Sequence, residues 1–469
     1  MHTIEVDVAV IGAGTAGMAA YRAARAHGKR TLLIESGPYG TTCARVGCMP
    51  SKLLIAAAEA AHGLAAAPGF GVHPGSVRID GRAVMARLQS ERDRFVGFAL
   101  DAIDRMPAED KIRGRARFTG PRRLQIDQHT CIEAGSIVIA VGSASVVPEE
   151  WRAAGACVVT SDDVFDWTDL PQSVAVAGSG ALGLELGQAL HRLGVRVTIF
   201  ARGDGLAQLS DPLVLRCAAQ ALSGELDLRF QTSIAAVAAD GEGLLVRSRT
   251  AGGLERSERF AYLLAATGRR PNLSGLGLEM AQIELDRHGV PLYDERTMQC
   301  GTSAIFIAGD ANDEKPVLPQ AAEQGKIAGD NAGRYPDLRP GLRRTPLSIA
   351  FCAPQIAVLG AGYQQLSDAG EFGIGAVSFE DQGRSRIMLQ NRGMLRVYGE
   401  FGSGRFIGAE MAGPCAEHIG HLLSWACQSR LTVNEMLDMP FYHPVVEEGV
   451  RSALRELAAS LAQGPRQHG

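Results

Sequence analysis

An apolar run over residues 6–11 ends at Gly12, an alanine-rich stretch of helical character fills residues 18–27, and a second apolar run follows at residues 31–34. Strand, glycine turn, helix and strand in that order make a βαβ unit. The same grammar returns with an apolar run at 173–177, a turn from Gly178 to Gly183, a helical stretch at 184–193 and a strand at 195–200. Two such units predict two dinucleotide-binding folds in one chain. Between them, residues 151–171 hold turn formers, Trp and Asp without a period, and read as an interdomain linker. A second break falls at 331–345, where arginines surround Pro336 and Pro340 and predict a solvated connector. Beyond it, strand-like runs at 394–398 and 406–409 mix with helical runs at 417–429 and 447–461, the pattern of a separate α+β domain. The closing residues 464–469 are expected to be disordered.

The glycines of the first turn have distinct expected jobs. Gly12 permits the tight turn, Gly14 lets the backbone approach a pyrophosphate, and Gly17 lets the helix pack close on its strand. Eighteen residues past Gly17 stands Glu35, where a carboxylate can accept hydrogen bonds from ribose hydroxyls. The second unit repeats the spacing at Gly178, Gly180 and Gly183, with Glu185 just inside the helix. Its equivalent acid position is Ala201, followed by Arg202. An acid there favours NAD and an arginine accommodates the 2′-phosphate of NADP, so both nicotinamide cofactors stay open, as does an Arg202 that points into solvent.

Length and composition fit this layout. At 469 residues the chain exceeds the size of a single core, and a net charge of −4 with 46% apolar residues points to neither nucleic acid nor a membrane surface as partner. The N-terminus shows no signal-peptide pattern, and no uninterrupted apolar stretch of spanning length stands out. Nine cysteines without paired zinc-type spacing suit a reducing compartment and no metal site, so a cytoplasmic location is expected.

Two of those cysteines stand apart. Cys43 and Cys48 follow a turn at residues 37–40, with Gly47 between them and Pro50 just after. Residues five apart on a regular helix have Cα atoms roughly 8–9 Å apart and face different sides, too far for a disulfide. Gly47 and Pro50 supply the irregularity that lets the sulfurs meet. A disulfide closing so short a loop adds little stability, which favours a redox role over two unrelated core thiols. Cys131, Cys157, Cys217, Cys300, Cys352, Cys415 and Cys427 read as core cysteines.

At this point the sequence resembles the FAD/NAD(P) disulfide oxidoreductases, the group of dihydrolipoamide dehydrogenase, glutathione reductase and mercuric reductase, over essentially its whole length. Residues 40–52, GTTCARVGCMPSK, are similar to the family's GGTCxNxGCxPSK. Residues 139–143 resemble its ATGS strand end, 265–272 its AxGRxPN segment with Gly268, and 305–310 its second flavin motif. YHPVVEE at 442–448 is similar to HPTxxE. The resemblance implies an α/β chain of two Rossmann-like domains plus a C-terminal α+β dimerisation domain. It divides the chain into an FAD-binding segment at 1–149, an NAD(P)-binding domain at 150–268, a second FAD-binding or central segment at 269–339 and an interface domain at 340–469.

Carried over residue by residue, the resemblance makes Cys43 the sulfur that exchanges with substrate and Cys48 the one against flavin. His443 becomes the acid–base, oriented by Glu448 across a homodimer interface. Lys52 is placed at the flavin N5, and Gly114, Ala116, Ser143, Asp310 and Leu318 at FAD. Departures are Thr41 for a glycine, Arg45 for the usual asparagine, Val445 for the threonine of HPT, and Ala181 where glutathione reductases carry a tyrosine. Arg45 beside the pair would favour a thiolate. The expected activity is dihydrolipoyl dehydrogenase-like, on a lipoamide-like dithiol or disulfide. NADPH-dependent reduction of a small disulfide such as glutathione is the alternative. Mercuric reduction fits less well, because residues 463–469 carry no vicinal cysteines and no metal-binding domain precedes the first strand. A non-catalytic flavin redox sensor or assembly partner is the reading from another class.

Overall fold

The computed structural model describes residues 2–314 and 317–465. Residues 466–469, most of the expected disordered tail, lie outside them. The chain divides into two compact units, one of Met1–Pro50, Leu88–Val146 and Arg269–Arg343, the other of Ser51–Arg87, Val147–Gly268 and Arg344–Gly469.

The first unit is built on a sheet in the order Lys111–Arg113, Thr31–Glu35, His2–Ile11, Thr130–Ile139, Arg123–Ile126 and Ala116–Gly120, with Ile305–Ile307 also paired to Thr130–Ile139. Its central pairings are parallel, and Val8 to Ile11 are almost fully buried. A continuous apolar run is what a strand covered on both faces requires. One face packs on the helices Thr15–Ala26 and Leu318–Arg334, which lie in backbone contact. A Cβ at Gly325 would sit 2.2 Å from the carbonyl oxygen of Ala16, and one at Gly329 2.2 Å from that of Ala20. These two glycines, one helical turn apart, let the helices touch.

The second unit holds a parallel sheet in the order Asp227–Arg229, Arg196–Phe200, Ser173–Ala177, Tyr262–Ala265 and Val158–Val159. It also holds an antiparallel sheet of Leu347–Ala350, Gln355–Gly360, Phe406–Gly413, Met394–Gly399 and Gly373–Ser378. Helices Ala416–Gln428 and Glu448–Gln463 cover that second sheet. A buried ionic knot ties the helix Pro212–Ser223 to it. Both oxygens of Asp211 accept from Arg396 at 2.8 and 2.6 Å and one accepts from the Tyr398 hydroxyl, while Glu410 accepts from the backbone N–H of Ser210, Asp211 and Tyr363. The carboxylates of Asp211 and Glu410 thus have their donors, as burial demands, whereas the buried Nε of Arg396 has no hydrogen-bond partner among the described residues.

Three expectations change. Residues 151–171 are not a bare linker: Val158–Val159 adds an edge strand, and Trp151, Val164 and Phe165 are buried, so their apolar side chains fold the segment onto the sheet. The connector at 331–345 is not simply solvated. Arg343 bonds Glu314 at 2.7 Å and Glu323 at 3.2 Å, and the Asn331 side chain donates to the carbonyls of Thr297 and Arg339. Finally, the helical stretch Thr42–Phe70 is long and apolar enough to cross a membrane by length and composition alone. Pattern reading passed over it because Lys52 and polar residues interrupt the run. The helix breaks at Gly47 within it, and Lys52 bonds Glu185 as described below.

Candidate active site

Thr41 starts the cysteine segment at a positive φ of 56°, its hydroxyl accepting from the N–H of Ala44 at 3.2 Å to cap the short helix Thr42–Val46. That helix stops at Gly47 (φ −130°, ψ −118°), and Cys48 opens the next one, Cys48–Ala66. A Cβ on Gly47 would stand 3.1 Å from the Cα of Cys43. The chain therefore folds back so that the residue before Cys48 lies against the backbone of Cys43, a closer approach than an unbroken helix allows. Cys43 is half-buried and Cys48 exposed. The stem of Arg45 runs across Gly40, where a Cβ would be 3.1 Å from Cδ of the arginine; Gly40, at φ 115°, has none.

The two glycine turns superimpose in logic. A Cβ at Gly12 would be 2.2 Å from the carbonyl oxygen of Ala140, and one at Gly17 1.8 Å from that of Gly12, whereas Gly14 has nothing within 4 Å. In the second turn the values are 2.3 Å from Ala266 for Gly178 and 2.1 Å from Gly178 for Gly183, with open space again at Gly180. Outer glycines serve the fold; middle ones leave a gap. The helices Thr15–Ala26 and Ala181–Arg192 begin right there without a side-chain cap, so their first N–H groups point at that gap. Glu35 is braced on both oxygens, by Ala13 N–H at 2.8 Å and Gly37 N–H at 2.6 Å.

The residues present fit FAD in the first unit. The N–H of Gly114 donates to the carbonyl of Glu35 at 3.0 Å, and Ala116 opens the next strand with its side chain buried, so both offer backbone only. Asp310 accepts from the Ser143 hydroxyl at 2.7 Å. Arg269, which sequence reasoning quoted inside its motif without a role, donates to the Ser143 hydroxyl at 2.8 Å and to its carbonyl at 2.7 Å. Leu318 starts its helix half-exposed, and two residues on the buried Oε1 of Gln320 has no hydrogen-bond partner among the described residues. An orphaned acceptor beside an uncapped helix start is a vacancy in polar satisfaction that a ligand can fill.

In the second unit, Lys52 bonds the buried Glu185 at 2.7 Å and lies 4.4 Å from the ring centroid of Phe351. The other oxygen of Glu185 accepts from the N–H of Phe351 at 2.9 Å, so this carboxylate is fully engaged. Ala201 ends its strand without an acid, Arg202 is exposed, and Gly268 sits at φ 112° with open space around its α-carbon.

Also in that unit, Nδ1 of His443 lies 3.0 Å from Oε2 of Glu448. A carboxylate only accepts, so Nδ1 carries the hydrogen and Nε2 is left to exchange protons, on a side chain 80% exposed. Burial pushes the Glu448 carboxyl up. The bonds from His443 and the Val445 N–H, with the charges of His443 and Arg451, outweigh it and hold the group below the usual range. Arg451, bonded to Glu448 at 3.1 Å, went unnoticed in the sequence; its i,i+3 spacing on the helix is the signal that would have found it. The remaining cysteines behave as packing residues. Cys131, Cys300 and Cys352 are buried, and burial pushes the thiols of Cys300 and Cys352 up to about 12. Cys157, Cys217, Cys415 and Cys427 are only half-buried, less deep than expected.

Residues 6–325 match the family described as pyridine nucleotide-disulphide oxidoreductase, and residues 347–454 match its dimerisation domain. A mercuric reductase of Streptomyces lividans is 30% identical over 97% of this chain and 97% of that one. A dihydrolipoyl dehydrogenase of Bacillus subtilis is 27% identical over 96% and 98%. The crystal structure of LpdA from Mycobacterium tuberculosis superimposes with a TM-score of 0.81 at 26% identity, covering 96% of this chain and all of that one. The protein belongs to the pyridine nucleotide-disulphide oxidoreductases, whose members use FAD and NAD(P)H.

Proposed function

We propose that this chain is a homodimeric, cytoplasmic disulfide oxidoreductase of dihydrolipoyl dehydrogenase type, working through a Cys43–Cys48 redox disulfide. The observation that supports the reading is the fold-back at Gly47, which lays the residue preceding Cys48 against the backbone of Cys43 at a helix break. A dithiol substrate attacks Cys43, forming a mixed disulfide and releasing Cys48 as thiolate. Its second thiol then displaces Cys43 and leaves as the oxidised substrate. His443 takes the substrate's proton at Nε2, and Glu448 steadies the imidazolium. The dimerisation match spans both residues of this dyad, and in the proposed dimer the dyad of one chain serves the sulfurs of its partner. Bound FAD supplies the two-electron relay to the nicotinamide.

Arg202 supports a second reading, NADPH-driven reduction of a small disulfide by the same machinery, because the strand end has a cation and no acid. A turnover matrix of NADH and NADPH against lipoamide, glutathione disulfide and Hg(II) separates these readings. Lipoamide turnover that Cys48→Ser abolishes supports the first. Turnover confined to glutathione disulfide or mercury, or lipoamide turnover that survives Cys48→Ser, overturns it.

A further inference from the structure

We propose that Arg451 is a positioning residue for the proton-transferring dyad, fixing the Glu448 carboxylate in the orientation that His443 needs. The inference rests on the reading of His443 as the acid–base.

The Glu448 carboxylate is shared among three partners. Oε2 faces His443 at 3.0 Å and the Val445 N–H at 3.4 Å, while Oε1 accepts from Arg451 at 3.1 Å. Glu448 and Arg451 lie on one face of the helix Glu448–Gln463, three residues apart. The guanidinium is held a second time, 5.7 Å from the ring centroid of Phe441, and its side chain is 34% exposed. Since the imidazole itself is exposed, the carboxylate's orientation is set from its other oxygen. A bond to Arg451 stops the carboxylate from rotating away whenever His443 changes protonation.

Most other charged groups around this helix bond elsewhere, and Arg455 stands two turns along the helix from Glu448. The packed strand Gly373–Ser378 has no ionisable side chain, and in Met394–Gly399 both Arg396 and Tyr398 bond Asp211. Glu435 of Val433–Leu437 closes on Thr432, and Glu456 accepts from the Ala376 N–H. Nearby Gln382, which donates to the Val445 carbonyl, is neutral. Arg451 is thus the cation hydrogen-bonded to Glu448.

The test is the pH profile of flavin reduction by dithiothreitol in stopped flow, a single half-reaction that needs no nicotinamide. In Arg451→Met the acid limb should move up by about half a pH unit, from the loss of a cation two hydrogen bonds away from the imidazole in a largely aqueous setting, and the plateau rate should fall about tenfold. Arg451→Lys should return the limb to its native position. If the Met variant loses its flavin, Arg451→Gln replaces it with the same expectation. An unmoved limb in the charge-neutral variant overturns the proposal, whether or not the plateau falls, since a merely structural arginine affects rate and stability alone. His443→Gln guards the foundation. Full-rate reduction in that variant means the dyad reading itself has failed, a result distinct from an indifferent Arg451.

Discussion

Gly180→Ala should separate cofactor binding from folding. A Cβ at this position meets nothing within 4 Å, and its φ of −67° suits alanine. The lost chain entropy of glycine contributes about 0.4–1 kcal/mol of stability and the poorer N-cap costs about as much, so the thermal midpoint should stay within roughly 2 °C of native. A methyl group in that gap keeps a pyrophosphate off the first N–H groups of the helix Ala181–Arg192. Losing one charge-assisted hydrogen bond there costs about 2 kcal/mol, or close to thirtyfold in Kd. Gly183→Ala is the contrast, because its Cβ would stand 2.1 Å from the Gly178 carbonyl oxygen and the helix must shift. It should lower both affinity and thermal midpoint. Quenching of NADH and NADPH fluorescence gives Kd, and flavin absorbance reports FAD content. A folded, yellow Gly180→Ala protein that binds nicotinamide as tightly as the native one refutes the assignment of this loop.

Arg202→Glu should cut kcat/KM for NADPH by about 10- to 100-fold, the worth of an arginine–phosphate bond, with little loss for NADH; equal effects on both refute a role in selection. Arg192 is buried and bonds Glu225 at 2.5 and 2.9 Å, so Arg192→Met should lower stability by about 3–5 kcal/mol. Burial pushes the Glu225 carboxyl up, but Arg192 and His62 outweigh it and hold it below its usual range. The stability Glu225 contributes is therefore present above the ordinary carboxylate pKa and is lost as pH falls through the depressed folded value; thermal scans from pH 7 to 3 should show that slope in the native protein and not in the variant. Cys300 and Cys352, with thiols pushed up to about 12, should escape N-ethylmaleimide at pH 7.5 until the chain is denatured, as read by peptide mass; rapid native labelling would contradict their burial.

How much was legible follows from where the information lies. Gly12, Gly14, Gly17 and their counterparts sit in one turn each, so their spacing was readable, although the neighbours that crowd Gly12 and Gly178, Ala140 and Ala266, were not. The Cys43–Gly47–Cys48 break was readable for the same reason, a local conflict between helix geometry and disulfide chemistry. Partners far apart in sequence were not. Nothing local tells that Glu185 gives one oxygen to Lys52 and the other to the N–H of Phe351, or that Arg269 braces Ser143 against Asp310. Segment 151–171 misled because its apolar residues are aperiodic, and a two-residue edge strand such as Val158–Val159 leaves no alternation to read. Arg343 misled for another reason: an arginine near two prolines looks solvated unless its carboxylates, here Glu314 and Glu323, are known.

The most direct test of the account uses Arg45, which lies between the two cysteines in the sequence. Trypsin digestion of the oxidised, yellow protein under non-reducing conditions should give residues 31–45 and 46–52 as one disulfide-linked mass, and two electrons per flavin from a dithiol should split it into separate thiol peptides. Cys43 and Cys48 found individually alkylated in the oxidised protein would contradict it.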